Sequence, residues 1–234
     1  MIKTCVLLLS LGLVLAVGST RAGERPIVVE LFTSEGCSSC PPADRLLAEL
    51  TGRPDVLALS FHVDYWDRLG WKDPYSSREA TERQSRYAKL LDLPSLYTPQ
   101  IVVDGKWQAV GSDHADVGHA LALARRSRTE IPVTLALDHD RARITLGAVD
   151  VASASVFLIG FDRRHITAVK RGENGGRTLA HVDVVRGIEE IARAEGGPVA
   201  TEVPVRWHCD RVAAILQAAD GRILGVAVQD SEPL

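Results

Sequence analysis

Short apolar runs alternate with helical stretches through the first half of the chain. A continuous apolar run is typical of a buried strand, whereas apolar positions spaced three and four apart indicate a helix. The predicted elements are, in order, a strand at 27–32, a helix at 41–50, a strand at 56–63, a charged helix at 76–91, strands at 100–103 and 107–110, and a helix at about 113–126. Strands that alternate with helices and end in a hairpin predict a mixed sheet with helices on its faces. This α/β domain is expected to span residues 26–128.

The pattern changes after residue 128 to short strands separated by turns. Strands are predicted at 132–137, 142–149, 156–161, 166–170, 203–209, 212–217 and 223–228. Asp220-Gly221 is a strong turn signal between the last two. Residues 181–194 fit either a helix or a strand edge, and we favour a helix or an irregular connection there. Residues 129–234 are therefore expected to form a small antiparallel β domain, sandwich-like in architecture.

The first 22 residues have the pattern of a secretory signal peptide. Lys3 precedes an apolar run at 5–17, and small residues lead to Ala22. A membrane-spanning helix needs roughly 20 apolar residues, so a permanent anchor is the less favoured alternative. We expect the mature protein to be periplasmic or secreted, with no stable membrane insertion once the signal is removed.

Composition and charge exclude other classes. The chain of 234 residues is 46% hydrophobic and 24% charged, which is typical of a soluble globular protein. Lys and Arg total 27 against 30 Asp and Glu, and no basic stripe is present, so nucleic acid is not an expected partner. No motif in the chain indicates a bound cofactor.

The candidate chemistry lies at two cysteines. Cys37 and Cys40 are three positions apart at the junction of the first strand and the first helix. The free amides of a helix start favour a thiolate at Cys37, and the thiolate is the form that attacks a disulfide. Cys5 lies in the signal peptide. Cys209 is interpreted as a lone buried residue, with a third redox thiol as its alternative.

The first half also resembles a thioredoxin-like domain. The resemblance depends on the order strand, Cys-x-x-Cys at a helix start, strand ending in Val63-Asp64, helix, and then Thr98-Pro99 before the third strand. It implies that Pro99 is cis and lines a substrate groove beside the cysteines. More narrowly, the chain is similar to a family of secreted bacterial thioredoxin-like proteins of unknown function. The shared segments are 29–44, 61–67, 70–74, 97–100 and 171–179.

Comparison with thioredoxin also identifies candidate residues for proton transfer and for the groove. Thioredoxin has a buried aspartate six residues before its first cysteine, where this chain has Leu31, and Glu30 is one position out of phase. A shift of one residue sends a strand side chain to the opposite face, so that proton relay is in doubt. Asp64 is an alternative for proton transfer, or else a loop cap. With Thr98 and Pro99, the aromatic residues Trp66 and Trp71 are candidates for the groove.

The sequence therefore predicts thiol–disulfide exchange with protein or small-molecule thiols and disulfides. Cys37 would be the nucleophile and Cys40 the resolving thiol. One alternative is a binding or structural module in which the Cys37–Cys40 disulfide is static. Another is a soft-metal site for copper or zinc, built from the two thiols and His62.

Overall fold

The computed structural model describes residues 24–231, so the predicted signal peptide lies outside the described residues. The helices are α1 (Pro41–Thr51), α2 (Arg78–Leu90) and α3 (His114–Ser127), with a 3-10 turn at Asp67–Leu69. The strands are β1 (Ile27–Thr33), β2 (Val56–His62), β3 (Gln100–Val103), β4 (Trp107–Val110), β5 (Val133–Asp138), β6 (Arg141–Leu146), β7 (Ala154–Ala168), β8 (Thr178–Ala194), β9 (Val199–Pro204), β10 (Arg211–Ala218) and β11 (Ile223–Asp230). No helix in this range is both long and apolar enough to cross a membrane.

Eight strands form one mixed sheet, in the order β11-β10-β7-β8-β2-β1-β3-β4. β1 and β2 are parallel, whereas β3 and β4 run antiparallel to their neighbours. The predicted α/β architecture with an antiparallel second half is confirmed. Strands β7 and β8 join the two halves, because β8 pairs in parallel with β2 through Ser60 and Val184. A separate antiparallel sheet contains β5, β6 and β9.

Both faces of the central strands are buried. In β1, Val28 and Phe32 pack toward α2, while Val29 and Leu31 pack toward α1 and α3. This double burial explains why β1 and β2 are nearly continuous apolar runs rather than alternating ones. A third core lies between the small sheet and strands β7 and β10.

Three sequence predictions in the second half were wrong. Residues 181–194 belong to strand β8, not to a helix or an irregular connection. The two strands expected at 156–161 and 166–170 are a single 15-residue strand, β7, which pairs with β8. The strand expected at 203–209 is displaced, since β9 ends at Pro204 and Cys209 lies outside the strands. The turn between β7 and β8 lies instead at residues 171–176, where Gly172 and Gly176 have positive φ.

Candidate functional site

The two cysteines of the Cys-x-x-Cys segment form a disulfide at the start of α1. Cys40 is the N-cap residue, and its carbonyl accepts hydrogen bonds from the amides of Ala43 (2.9 Å) and Asp44 (3.1 Å). Pro41 occupies the first helical position, where a missing amide hydrogen costs little. The predicted location of the pair is confirmed, but both cysteines are fully buried. A reagent can therefore reach either sulfur only after the surroundings move.

The loop before β3 lies beside this helix start. The Thr98–Pro99 bond is cis, as the resemblance implied. The indole Nε1 of Trp66 donates to Thr98 Oγ1 at 2.8 Å. Gly111 donates its amide to the Pro99 carbonyl, and a Cβ at Gly111 would lie 3.0 Å from Ala43 of α1. The close approach at Gly111 brings the proline loop against the first turn of α1.

A turn from the second half contacts the Cys-x-x-Cys segment. We call residues 170–177, which join β7 to β8, the covering turn. The buried Asn174 donates from Nδ2 to the carbonyl oxygens of Glu35 and Cys37, both at 2.9 Å. Ser38 donates its amide to Glu173 Oε2 at 3.0 Å. These contacts hold the covering turn against the backbone of the Cys-x-x-Cys segment, whose two cysteines are buried.

Trp71 connects the covering turn to the interior. Its indole Nε1 donates to Glu35 Oε2 at 2.7 Å. Gly172 has a φ of +75°, and a Cβ at this position would lie only 3.1 Å from the Cβ of Trp71, so the turn backbone lies directly on this residue. Trp66 and Trp71 are thus both close to the Cys-x-x-Cys segment, but they have different polar partners.

Five buried titratable side chains lie together below the covering turn, and we call them the acid–histidine cluster. Its members are Glu35, Asp44, His62, Asp73 and His181. The His181 ring has Nε2 3.4 Å from Glu35 Oε1 and Nδ1 3.9 Å from Asp44 Oδ2. Its centroid lies 4.6 Å from that of His62, at an interplanar angle of 84°. His62 Nδ1 lies 2.7 Å from Asp73 Oδ2.

Burial and charge shift the pKa values of these groups. For Asp44, burial is the largest effect and raises the pKa, although the nearby histidines oppose it. For His62, burial works against the charged ring, but the charge and hydrogen bond of Asp73 outweigh it and raise the pKa. Burial also opposes ionisation of Asp73, yet His62 and the amides of Glu35 and Tyr75 lower its pKa to about 2. Both shifts favour the charged forms of this His62–Asp73 pair.

Asp64 has a separate set of partners. Its carboxylate accepts from Thr81 Oγ1 of α2 at 2.6 Å, and its amide lies 3.1 Å from the same hydroxyl. This contact ties the loop after β2 to α2, which agrees with the capping alternative for Asp64. The acid–histidine cluster does not include it.

Glu30 and Leu31 lie on opposite faces of β1, as their one-residue offset predicted. Leu31 packs in the core beside α1. Leu31 and Pro99 both lie close to Gly111. Glu30 faces α2, where it accepts hydrogen bonds from Arg83 Nε at 2.5 Å and from the Tyr87 hydroxyl. Glu30 is thus held in an ion pair on the α2 side of the sheet.

Cys209 lines a cavity of about 700 Å³ in the second half, together with Trp207 and His208. Burial raises the pKa of the Cys209 thiol, which disfavours the thiolate that a third redox residue needs. Its Sγ lies 3.9 Å from Ser231 Oγ.

The residues of the soft-metal alternative are not arranged as a metal site within residues 24–231. Across that range, no three His, Cys, Asp or Glu side chains are grouped to hold a metal ion. His62, which that alternative needs, has its Nδ1 paired with Asp73.

Sequence reasoning missed most residues that surround the disulfide. Glu35, Asp73 and Asn174 were part of recognised motifs, but no role was assigned to them. Asp44 had a usable signal, because a carboxylate four residues after Cys40 lies on the same face of a helix start. His181 had none, because it follows Cys40 by 141 positions and lies in the segment whose structure was ambiguous.

The mixed sheet and the buried Cys-x-x-Cys disulfide beside a cis-proline define an α/β disulfide protein. The chain belongs to the DUF1223 family, described as a protein of unknown function, whose profile matches residues 28–226. It is similar to a crystal structure of an Agrobacterium tumefaciens protein at 31% identity, which covers 90% of this chain and 96% of that one with a TM-score of 0.78. HBP35 of Porphyromonas gingivalis matches with a TM-score of 0.59 and 16% identity over 90% of this chain and 77% of that one, which shows a shared fold alone. No curated protein matches the chain.

Proposed function

We propose that this chain is an exported thioredoxin-like protein that exchanges disulfides with protein or small-molecule thiols through Cys37 and Cys40. The observation that carries the proposal is a disulfide at the start of α1, whose first turn meets the cis-Pro99 loop at Gly111. The bridge spans a sequence separation of only three. A disulfide that closes so short a loop removes little chain entropy, so it stabilises a fold less than one that joins distant segments.

The exchange proceeds in two balanced steps. In the reduced protein, the Cys37 thiolate attacks a partner disulfide, which forms a mixed disulfide and releases one partner sulfur as a thiolate. Cys40 then loses its proton and attacks Cys37 Sγ, which forms the Cys37–Cys40 bond and releases the second partner sulfur. The partner gains two electrons and the chain loses two. The reverse sequence oxidises the partner.

Burial of both sulfurs requires a conformational step before exchange. The covering turn is the segment whose side chains bind the Cys-x-x-Cys backbone, through Glu173 at Ser38 and Asn174 at Cys37. Movement of this turn would expose the disulfide while leaving α1 in place. Trp66 and the cis-Pro99 loop would then form one wall of the partner groove.

A trapping experiment with the mature protein tests the proposal. In the Cys40→Ser variant, Cys37 is expected to accumulate mixed disulfides with partner thiols, because the resolving thiol is absent. The control is the double variant Cys37→Ser/Cys40→Ser, which should trap nothing. Titration against thiol redox buffers should also place the pair above about −300 mV. A pair that stays oxidised below that potential and forms no mixed disulfide would overturn the proposal.

A static brace is the second candidate, and complete burial of both cysteines favours it. In that case the covering turn is a permanent part of the core. The two candidates differ in the rate of reduction of the native protein by a small dithiol. A static brace is reduced only as fast as the whole chain unfolds, whereas an exchanging pair is reduced faster than that.

A further inference from the structure

The acid–histidine cluster contains buried polar atoms that the protein does not satisfy. Among the described residues, Glu35 Oε1, His62 Nε2 and both ring nitrogens of His181 have no hydrogen-bond partner. The side chains of Glu35, His62 and His181 are at most 1% exposed. An unpaired buried polar atom is destabilising. Two of these atoms, Glu35 Oε1 and His181 Nε2, lie 3.4 Å apart without forming a hydrogen bond.

The cluster lies against the disulfide segment on two sides. Asp44 is one helical turn beyond Cys40, and its amide donates to the Cys40 carbonyl. Glu35 is two residues before Cys37, and one Asn174 amide group binds the carbonyls of both. The groups that can lose or accept a proton therefore flank both ends of the Cys-x-x-Cys segment.

His181 is the member that touches the others. It faces Glu35 from the loop after β1, Asp44 from α1, and the His62–Asp73 pair from β2 and the loop after it. Tyr75 completes the ring of titratable neighbours, with centroids 6.1 Å from His181. Since His62 is already paired with Asp73, His181 is the imidazole left to exchange a proton between Glu35 and Asp44.

We propose that Asp44, His181 and Glu35 form a buried proton relay that accepts the Cys40 proton during resolution of the mixed disulfide and returns it on reduction. This inference rests on the proposed exchange function. In the forward step the Cys40 S–H bond breaks and its proton passes to Asp44 and on to His181. The Cys40 thiolate forms the bond to Cys37 Sγ, and the bond from Cys37 to the partner sulfur breaks. The partner leaves as a thiolate that takes its proton from water.

The position of the relay explains its composition. Burial raises the pKa of Asp44, which makes that carboxylate a stronger base than an exposed one. Leu31 cannot take a proton, and Glu30 is bound to Arg83 on the other face of β1. The relay thus replaces a strand carboxylate with groups from α1, the loop after β1, and β8.

Stopped-flow mixing of the reduced mature protein with an aromatic disulfide that releases a coloured thiolate tests the relay. The first coloured thiolate reports attack by Cys37, and the second reports resolution by Cys40. In His181→Gln and Asp44→Asn, the second phase is expected to slow about 10-fold or more near pH 7, with the first phase unchanged. The matched control is His165→Gln, because His165 lies directly opposite His181 in the β7–β8 ladder but pairs with Asp162.

The outcomes separate the relay from the proposed function. If either relay variant is folded and its second phase stays within about twofold of the wild type, the relay is overturned and exchange stands. If the wild-type protein releases no first thiolate, the proposed exchange function is contradicted, and the relay, which depends on it, is contradicted as well. The wild-type pH profile is an independent check should both variants fail to fold. A relay gives a second phase that levels off below pH 8.5, whereas a rate proportional to hydroxide up to an ordinary thiol pKa contradicts it.

Discussion

The Nδ2 atom of Asn174 lies 2.9 Å from the carbonyl oxygen of Cys37, although 137 positions separate the two residues along the chain. The same amide group binds the Glu35 carbonyl at 2.9 Å. The Asn174 side chain, from the second half of the chain, thus fixes the backbone carbonyls of both Glu35 and Cys37.

Asn174→Ala is expected to open the covering turn. Without the amide, the Glu35 and Cys37 carbonyls lose a buried donor, so we expect a stability loss of about 1–3 kcal/mol. The disulfide should be reduced several-fold faster by dithiothreitol under native conditions, because the turn opens more often. Arg171→Ala, in an exposed position of the same turn, is the control and should leave the rate unchanged. An unaltered reduction rate in folded Asn174→Ala protein would show that the turn does not limit access.

Glu173→Gln is expected to make Cys37 more acidic. Hydrogen bonds from the hydroxyl and the amide of Ser38 lower the pKa of Glu173, so the residue is a carboxylate held beside the cysteines. Such a charge opposes a thiolate, and its removal should lower the pKa of Cys37 in the Cys40→Ser background by less than about one unit. The pH dependence of alkylation by iodoacetamide measures this pKa. Glu195→Gln, exposed after β8, is the matched control, and an equal shift in both variants would contradict a local effect.

Arg83→Met is expected to destabilise the fold strongly. Arg83 and Glu30 form a buried ion pair at 2.5 Å, and truncation leaves a buried carboxylate without its counter-charge. Removing one partner of such a pair costs about 3–5 kcal/mol. Urea unfolding measures the loss. The control is Arg78→Met on the same helix, whose pair with Glu82 is exposed and should change stability by less than about 1 kcal/mol. Equal effects in the two variants would refute the difference in burial as the cause.

Asp183→Asn is expected to stabilise the protein at neutral pH. Burial raises the pKa of Asp183 to about 6, although Arg211 and Arg163 oppose the shift. Since the folded pKa exceeds the unfolded value of about 3.9, the stabilising contribution of this group is complete below pH 4 and is lost as the pH rises through 6. Asparagine does not ionise, and it tolerates the φ of 44° found there.

The gain in Asp183→Asn should reach about 1–2 kcal/mol at pH 7.5, allowing for solvent screening, and vanish near pH 4. Thermal melting at both pH values measures it. Asp220→Asn is the control, and it should lose stability at pH 7.5 instead of gaining it. Hydrogen bonds from Arg222 lower the pKa of Asp220 despite partial burial, so its ionised form stabilises the fold. A gain that is the same at pH 4 and pH 7.5 would exclude ionisation of Asp183 as its origin.

Local signals were sufficient for the first half of the fold. Continuous apolar runs predicted β1 and β2 because both faces of those strands are buried, and Pro41 located the start of α1. The same logic failed for β7, which extends beyond its partner β10. Its outer residues 162–168 pair only with β8 and are partly exposed, so a charged strand segment had the composition of a turn.

The candidate site was predictable only where its chemistry is local. The Cys37–Cys40 spacing and the Thr98–Pro99 dipeptide are each recognisable from a few adjacent residues. The acid–histidine cluster takes its members from the loop after β1, α1, β2, the loop after β2, and β8. No spacing within one segment encodes such a grouping, and the pairing of β8 with β2 that assembles it was itself not predicted.

The position of the covering turn in the chain has a consequence for biosynthesis. A polypeptide is made from its amino terminus, so Cys37 and Cys40 emerge well before Asn174 exists to bind them. During that interval the covering turn does not yet lie against the segment that holds the two thiols. The disulfide can therefore form on the growing chain, and completion of the β7–β8 hairpin then closes over a bond already made.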